Sequence, residues 1–254
     1  CKFCYSRHFS AGSPLSLEES LEMLLMLKRA GCQKVTFGGG EPTLHPDIGA
    51  MLKYAKAIGL VTALVTNGYR LDRLLNSQPE SIDWVALSAE SFNEETERKL
   101  GRGNSSYVNR TVTMARKCHA LGIKVKINSV ITSLNYQEDL TPLIRETQPV
   151  RWKVFQVLAM PGQNDKDVAD LLITPAQFQD FLDRHRHLQA ETDMVQVPED
   201  NNAMLDSYLL IDPMGRFFSS GTDRSTVSQP ILEVGVQEAM GQVGFREDKF
   251  QARG

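Results

Sequence analysis

Leu17, Leu21, Leu24, Leu25 and Leu27 recur at helical spacing, and the run stops at Gly31. Ser16 and Glu19 form a capping box at its start, so the spacing predicts a helix over 17–30. A short apolar strand, 34–37, follows and runs straight into Gly38, Gly39, Gly40, Glu41 and Pro42. The same alternation then repeats. Strands are predicted at 61–66, 84–88, 124–131 and 152–158. Helices are predicted from Pro46 to Gly59, at 71–75, 93–100, 107–121, 138–147 and 175–188.

Short strands alternating with longer helices demand parallel strands joined by right-handed crossovers. Five strands are visible, and a sixth is expected just before Cys1. That makes an α/β fold, a partial (βα)6 barrel of TIM type. An open doubly wound sheet is the alternative, but no GxGxxG turn supports it. The rhythm breaks in the last quarter. Residues 207–211 and 216–218 flank Asp212, Pro213, Met214 and Gly215, a turn between two strands, read as a hairpin over the barrel mouth. A barrel over 1–190 and a C-terminal extension over 191–254, cut short at its end, are therefore expected.

Counting side chains with period two places Lys126 and Asn128 on one face of their strand. Arg151 and Lys153 likewise share a face, opposite Trp152 and Val154, and Lys34 shares one with Thr36. Central parallel strands are usually apolar on both sides, so polar faces on three of them imply a wet, charged lumen. Lys124, at a strand start, reads as solvent-facing. With Arg102 from its Gly-Arg-Gly loop, five cations are expected to converge: Lys34, Arg102, Lys126, Arg151 and Lys153. Such a cluster needs a dense anion, and a triphosphate suits the count.

Composition sets this cluster in context. The chain has 254 residues, 41% hydrophobic and 23% charged, as an ordinary soluble domain does. Its net charge of −3 argues against general nucleic-acid binding, so an anionic ligand must be held locally. No apolar run reaches the length of a membrane span. Four cysteines at these spacings suggest no disulfide framework, which fits a reducing compartment, the cytoplasm. Cys32 and Cys118 read as ordinary buried or half-buried thiols.

Cys1 and Cys4 are three apart and followed by Tyr5. A lone CxxC is also half a zinc site or a redox pair. Some thirty-five residues later come Gly39, Gly40, Glu41 and Pro42 at a strand end, where barrel enzymes gather reactive groups. Together the two motifs resemble the cluster loop and GGEP motif of radical S-adenosylmethionine (SAM) enzymes. The first cluster cysteine of that pattern would lie four residues before Cys1. Within that superfamily, residues 34–42, 126–130, 150–156 and 206–209 resemble the viperin family, and the likeness runs along the whole chain.

The resemblance implies a radical SAM barrel, a [4Fe–4S] cluster on Cys1 and Cys4, and SAM as cofactor. It implies conversion of a ribonucleoside triphosphate (CTP, UTP or GTP) to its 3′-deoxy-3′,4′-didehydro analogue, a chain-terminating antiviral nucleotide. Tyr5, Gly39, Gly40, Glu41, Asn67, Ser88 and Arg102 match positions near SAM. Lys34, Lys126, Asn128, Arg151 and Lys153, and again Arg102, match substrate-binding positions. Tyr208 matches a tyrosine that helps quench the substrate radical; packing within the hairpin is its other reading. Gly38 stands where animal members carry serine. A flavodoxin- or ferredoxin-type electron donor and a monomeric state are expected. Another radical SAM reaction is the alternative enzyme. A non-catalytic, metal-binding adaptor is the alternative outside enzymes, and iron and sulfide analysis separates it.

Overall fold

The computed structural model describes residues 1–4, 12–103, 106–219, 221 and 226–252. Six parallel strands form one sheet whose spatial order follows the chain. They are β1 (Lys34–Phe37), β2 (Val61–Thr66), β3 (Trp84–Ser88), β4 (Lys124–Ile131), β5 (Arg151–Gln156) and β6 (Val195–Glu199). Sequential order with every pair parallel is the winding of a TIM-type barrel, left open here between β1 and β6.

The crossovers carry α1 (Leu17–Arg29), α2 (Ile48–Ala57), α3 (Leu71–Ser77), α4 (Glu94–Lys99), α5 (Tyr107–Ala120) and α6 (Thr141–Thr147). Beyond β5 come α7 (Asp165–Val168) and α8 (Pro175–His185). The capping box of α1 forms as expected, with Ser16 Oγ accepting from the Glu19 N–H and Glu19 accepting from the Ser16 N–H. α6 starts three residues later than the pattern predicts, because Pro142 fits only in a first turn.

β6 lies beyond residue 190, where the barrel was expected to end. It pairs with β5 from Arg151↔Val195 to Phe155↔Glu199, so the sheet draws all six strands from residues 34–199. Pro198 hides it from a pattern search, since proline lacks an N–H and is tolerated only on an edge. The edge is where β6 sits.

The predicted hairpin forms from β7 (Leu210–Ile211) and β8 (Arg216–Phe218), and β9 (Val227–Pro230) adds a third antiparallel strand. Asp212 ties the turn: Oδ1 accepts from the N–H groups of Met214 and Arg216, and Oδ2 holds the Arg216 guanidinium at 2.6 Å. This sheet packs on α1 rather than over the barrel mouth. Phe217, Ile231, Ala239 and Val243 meet Leu27, and the Leu15 N–H donates to Pro213 O. An apolar seat on a helix holds the hairpin more firmly than a wet mouth would.

The main core lies between the sheet and its helices. Trp152 is fully buried on the outer face of β5, edge-on to Phe181 and His185 of α8, with its indole N–H on Ser129 Oγ. On β4, Val125, Ile127, Ser129 and Ile131 fill the same outer layer. Alternation then turns Lys126, Asn128, Arg151 and Lys153 inward.

Candidate active site

Register sets the inward side chains in rows. Ala86, Lys126 and Arg151 are neighbours across β3, β4 and β5, and the next row carries Ser88, Asn128 and Lys153. Lys34 enters from the start of β1, its ammonium 4.8 Å above the Trp84 ring. Electrostatics shows that these groups feel one another. Burial, then Lys153, Lys34 and Arg151, push the Lys126 ammonium down to about 7, against a smaller upward pull from Glu199. Burial, then Arg151 and Lys153, also lower Lys34. Lys124 is exposed, as expected, and its ammonium lies 5.2 Å over the same Trp84 ring.

Four of the five expected cations therefore converge. Arg102 does not. Its guanidinium makes a two-pronged pair with Glu90, with Nη2 at 2.6 Å, and lies 5.3 Å over the Phe3 ring. Burial disfavours its charge, but Glu90, with Tyr107 and Glu97, more than offsets that and holds its proton affinity above the ordinary value. Sequence reading placed Arg102 with the lumen cations because its fully buried partner, Glu90, is twelve residues away.

Glu199 escaped sequence reading. It is 0% exposed at the end of β6, with Oε1 on the Lys153 ammonium and Oε2 on the Tyr208 hydroxyl. Tyr208 is half-buried, and its hydroxyl also lies 3.3 Å from Lys153 Nζ. It thus faces the lumen cations rather than serving only to pack the hairpin. The alternation Val195, Val197, Glu199 was a readable sign, broken by Pro198.

At the C-terminal ends of the strands lies the second half of the site. Phe3 is buried at 7% exposure in the main core, which stabilises the loop by roughly 2 kcal/mol. The Lys2 N–H donates to Leu100 O, and Phe3 O accepts from Asn164 Nδ2 at 3.2 Å. These bonds hold Cys1 exposed and Cys4 half-buried above the ends of β3 and β5. Tyr5 lies outside the described residues. Among the described residues no three His, Cys, Asp or Glu side chains converge as a metal site, so Cys1 and Cys4 contribute two thiols.

Gly39 has φ +104, and a Cβ on Gly39 or Gly40 would meet nothing within 4 Å, so their backbone lies bare. The Glu41 carboxylate is a brace. It accepts from the Thr43 N–H and hydroxyl, the Thr66 hydroxyl and the Asn67 N–H. Asn67 caps its own turn, its Oδ1 accepting from the Tyr69 N–H. Ser88 is half-buried beside Asn128, whose Oδ1 is buried with no hydrogen-bond partner among the described residues. The bare glycine backbone, the exposed Cys1 and half-buried Cys4 thiols and the orphaned Asn128 oxygen fit a bulky polar cofactor above a hydroxylated ligand.

The Radical SAM superfamily model matches residues 1–145. The S-adenosylmethionine-dependent nucleotide dehydratase of Flammeovirga pacifica is 38% identical over 263 residues, covering 98% of this chain and 88% of that protein. The S-adenosylmethionine-dependent nucleotide dehydratase RSAD2 of Oncorhynchus mykiss is 37% identical, covering 100% of this chain and 75% of that protein. Among solved structures, SuiB of Streptococcus suis bound to S-adenosylmethionine shares the fold, with a TM-score of 0.65 at 19% identity. That match covers 85% of this chain and 56% of SuiB. With motif, geometry and full-length likeness in agreement, this chain belongs to the radical SAM superfamily and, within it, to the viperin-like S-adenosylmethionine-dependent nucleotide dehydratases.

Proposed function

We propose that the lumen takes a ribonucleoside triphosphate and that the enzyme removes water across C3′–C4′ of its ribose. The product in this reading is the 3′-deoxy-3′,4′-didehydro nucleotide. One observation carries it: Arg151 and Lys153 sit close enough to Lys34 and Lys126 to disfavour the charge of those two lysines, inside an otherwise acidic protein. Gathering like charges in a partly buried pocket is costly, and a triphosphate, with about four negative charges, would offset that cost.

As a family member the enzyme works with a [4Fe–4S] cluster and SAM, and Cys1, Cys4 and the bare Gly39–Gly40 backbone are the groups here that would hold them. When bound, they supply a 5′-deoxyadenosyl radical able to take a ribose hydrogen. The protein's own part is placement. Phosphates pinned in the lumen fix the ribose under the strand ends, which is an orientation effect. Asn128 Oδ1, which has no donor among the described residues, would accept from a ribose hydroxyl. Tyr208, its O–H held by Glu199 within 3.3 Å of Lys153, is placed to give up a hydrogen as the product forms. The electron comes from a flavodoxin- or ferredoxin-type donor. In this reading the enzyme is a cytoplasmic monomer, and no described helix is long and apolar enough to cross a membrane.

The test uses the full-length protein, prepared without oxygen. It is incubated with dithionite, SAM and each of the four nucleoside triphosphates, and mass spectrometry should find a product one water lighter than its parent. SAM cleavage with no such product from any of the four refutes the reading.

A further inference from the structure

A pocket built only to grip phosphate has no use for a buried carboxylate. Glu199 is fully buried and one of its oxygens holds the Lys153 ammonium. An incoming phosphate must draw that ammonium away and also face the carboxylate's charge. Glu199 therefore works against affinity. Its other oxygen suggests what it does instead. Oε2 accepts the Tyr208 O–H, and Lys153 sits 5.4 Å over the tyrosine ring and 3.3 Å from its oxygen. Lysine, glutamate and tyrosine form one closed ring of polar contacts, contributed by β5, β6 and the extension.

We infer that Glu199 is a positioning residue: it aims the Tyr208 hydroxyl into the lumen and releases Lys153 to the phosphate when nucleotide binds, at a cost in nucleotide affinity. This rests on the triphosphate reading of the lumen. Glu199 neutralises Lys153 while the pocket is empty, which lets the cation group persist without ligand. On binding, the phosphate takes over that duty and the carboxylate keeps the phenol alone. Affinity and turnover are thereby set against each other through a single side chain.

The experiment follows inorganic triphosphate binding to the full-length chain by calorimetry, and nucleotide turnover by the loaded enzyme. Glu199→Gln removes the competing charge and should tighten triphosphate at least about fivefold. The same variant should lose at least about tenfold in kcat, while KM falls rather than rises. A merely structural role would not move the two constants in that pattern. Should Glu199→Gln fail to fold, Glu199→Asp keeps the charge but withdraws it by one methylene. It should leave triphosphate affinity within about twofold and still lower kcat, as should Tyr208→Phe. Unchanged affinity in Glu199→Gln, or unchanged kcat in Glu199→Asp, overturns the inference. If the parent chain does not bind triphosphate, or binds it equally well as Lys153→Ala, the reading of the lumen itself fails.

Discussion

Raising the pH should weaken nucleotide binding in a way that can be worked out beforehand. In the empty pocket Lys126 titrates at about 7, chiefly from burial and then from Lys153, Lys34 and Arg151. At pH 9 it is therefore almost wholly neutral. A bound triphosphate favours the charged form and returns the group to its ordinary value, about 10.4. Binding at pH 9 must then take up about one proton. Well above pH 7 each further unit costs about 1.4 kcal/mol, and since the group is already half neutral at pH 7, affinity should fall about fiftyfold between pH 7 and pH 9. Lys34 is lowered too and acts in the same direction. The assay is calorimetry at pH 7, 8 and 9 in buffers of different ionisation heat, which counts the protons. Lys126→Arg, charged throughout this range, should flatten the dependence. A Kd that moves less than about threefold, with no proton uptake, would refute the clustered-cation argument. The sign for stability is the reverse. Between about 7 and 10.5 the unfolded lysine keeps a proton that the folded one has lost, so the empty fold gains stability as pH rises through that window.

Lys126→Ala or Lys153→Ala should raise the KM for nucleotide at least about tenfold, or about 1.4 kcal/mol, while SAM cleavage without nucleotide persists. Steady-state kinetics checks this, and an unchanged KM in both variants counts against the phosphate pocket. Burial, then the Glu90 charge, pushes the Glu97 carboxyl up to about 9, so the folded protein holds a proton that the unfolded chain loses above about 4.5. Stability should fall as pH rises between those values. Glu97→Gln keeps an acceptor for the Glu90 and Ser91 N–H groups and should gain at least about 1 kcal/mol on its parent from pH 5 to pH 8. Parallel thermal melts at the two pH values measure it, and a constant gap would be the wrong result. Gly101 has φ +81 beside the Cys1 backbone, so Gly101→Ala should cost about 1 kcal/mol and lower iron incorporation in the full-length protein. Iron analysis at equal protein concentration decides it, and an unaltered iron content would contradict the role given to that turn.

The lumen was legible because alternation in a strand is a local property. Once Trp152 is taken as core, Arg151 and Lys153 must point the other way. The glycine run and the Asp212 turn are likewise local, and each stands at the element end that the pattern gave it. What stayed hidden depends on distant partners. Arg102 and Glu90 find each other only when the chain has turned back after α4. Glu199 lies forty-six residues from Lys153, behind a proline that disguises its strand. Glu41 carries no local sign that its carboxylate will be spent on Thr66 and Asn67 of the next strand's end. Periodicity gives the face of a residue; the company it keeps is set by tertiary packing.

Phe3 is sunk in the apolar core while Cys1 is exposed and Cys4 half-buried. Residues 1–4 are thus held by the Phe3 ring and by the backbone bonds of Lys2 and Phe3, not by metal. Oxygen that strips the iron should leave that anchor in place, so that recovery becomes a matter of iron and sulfide delivery rather than of refolding.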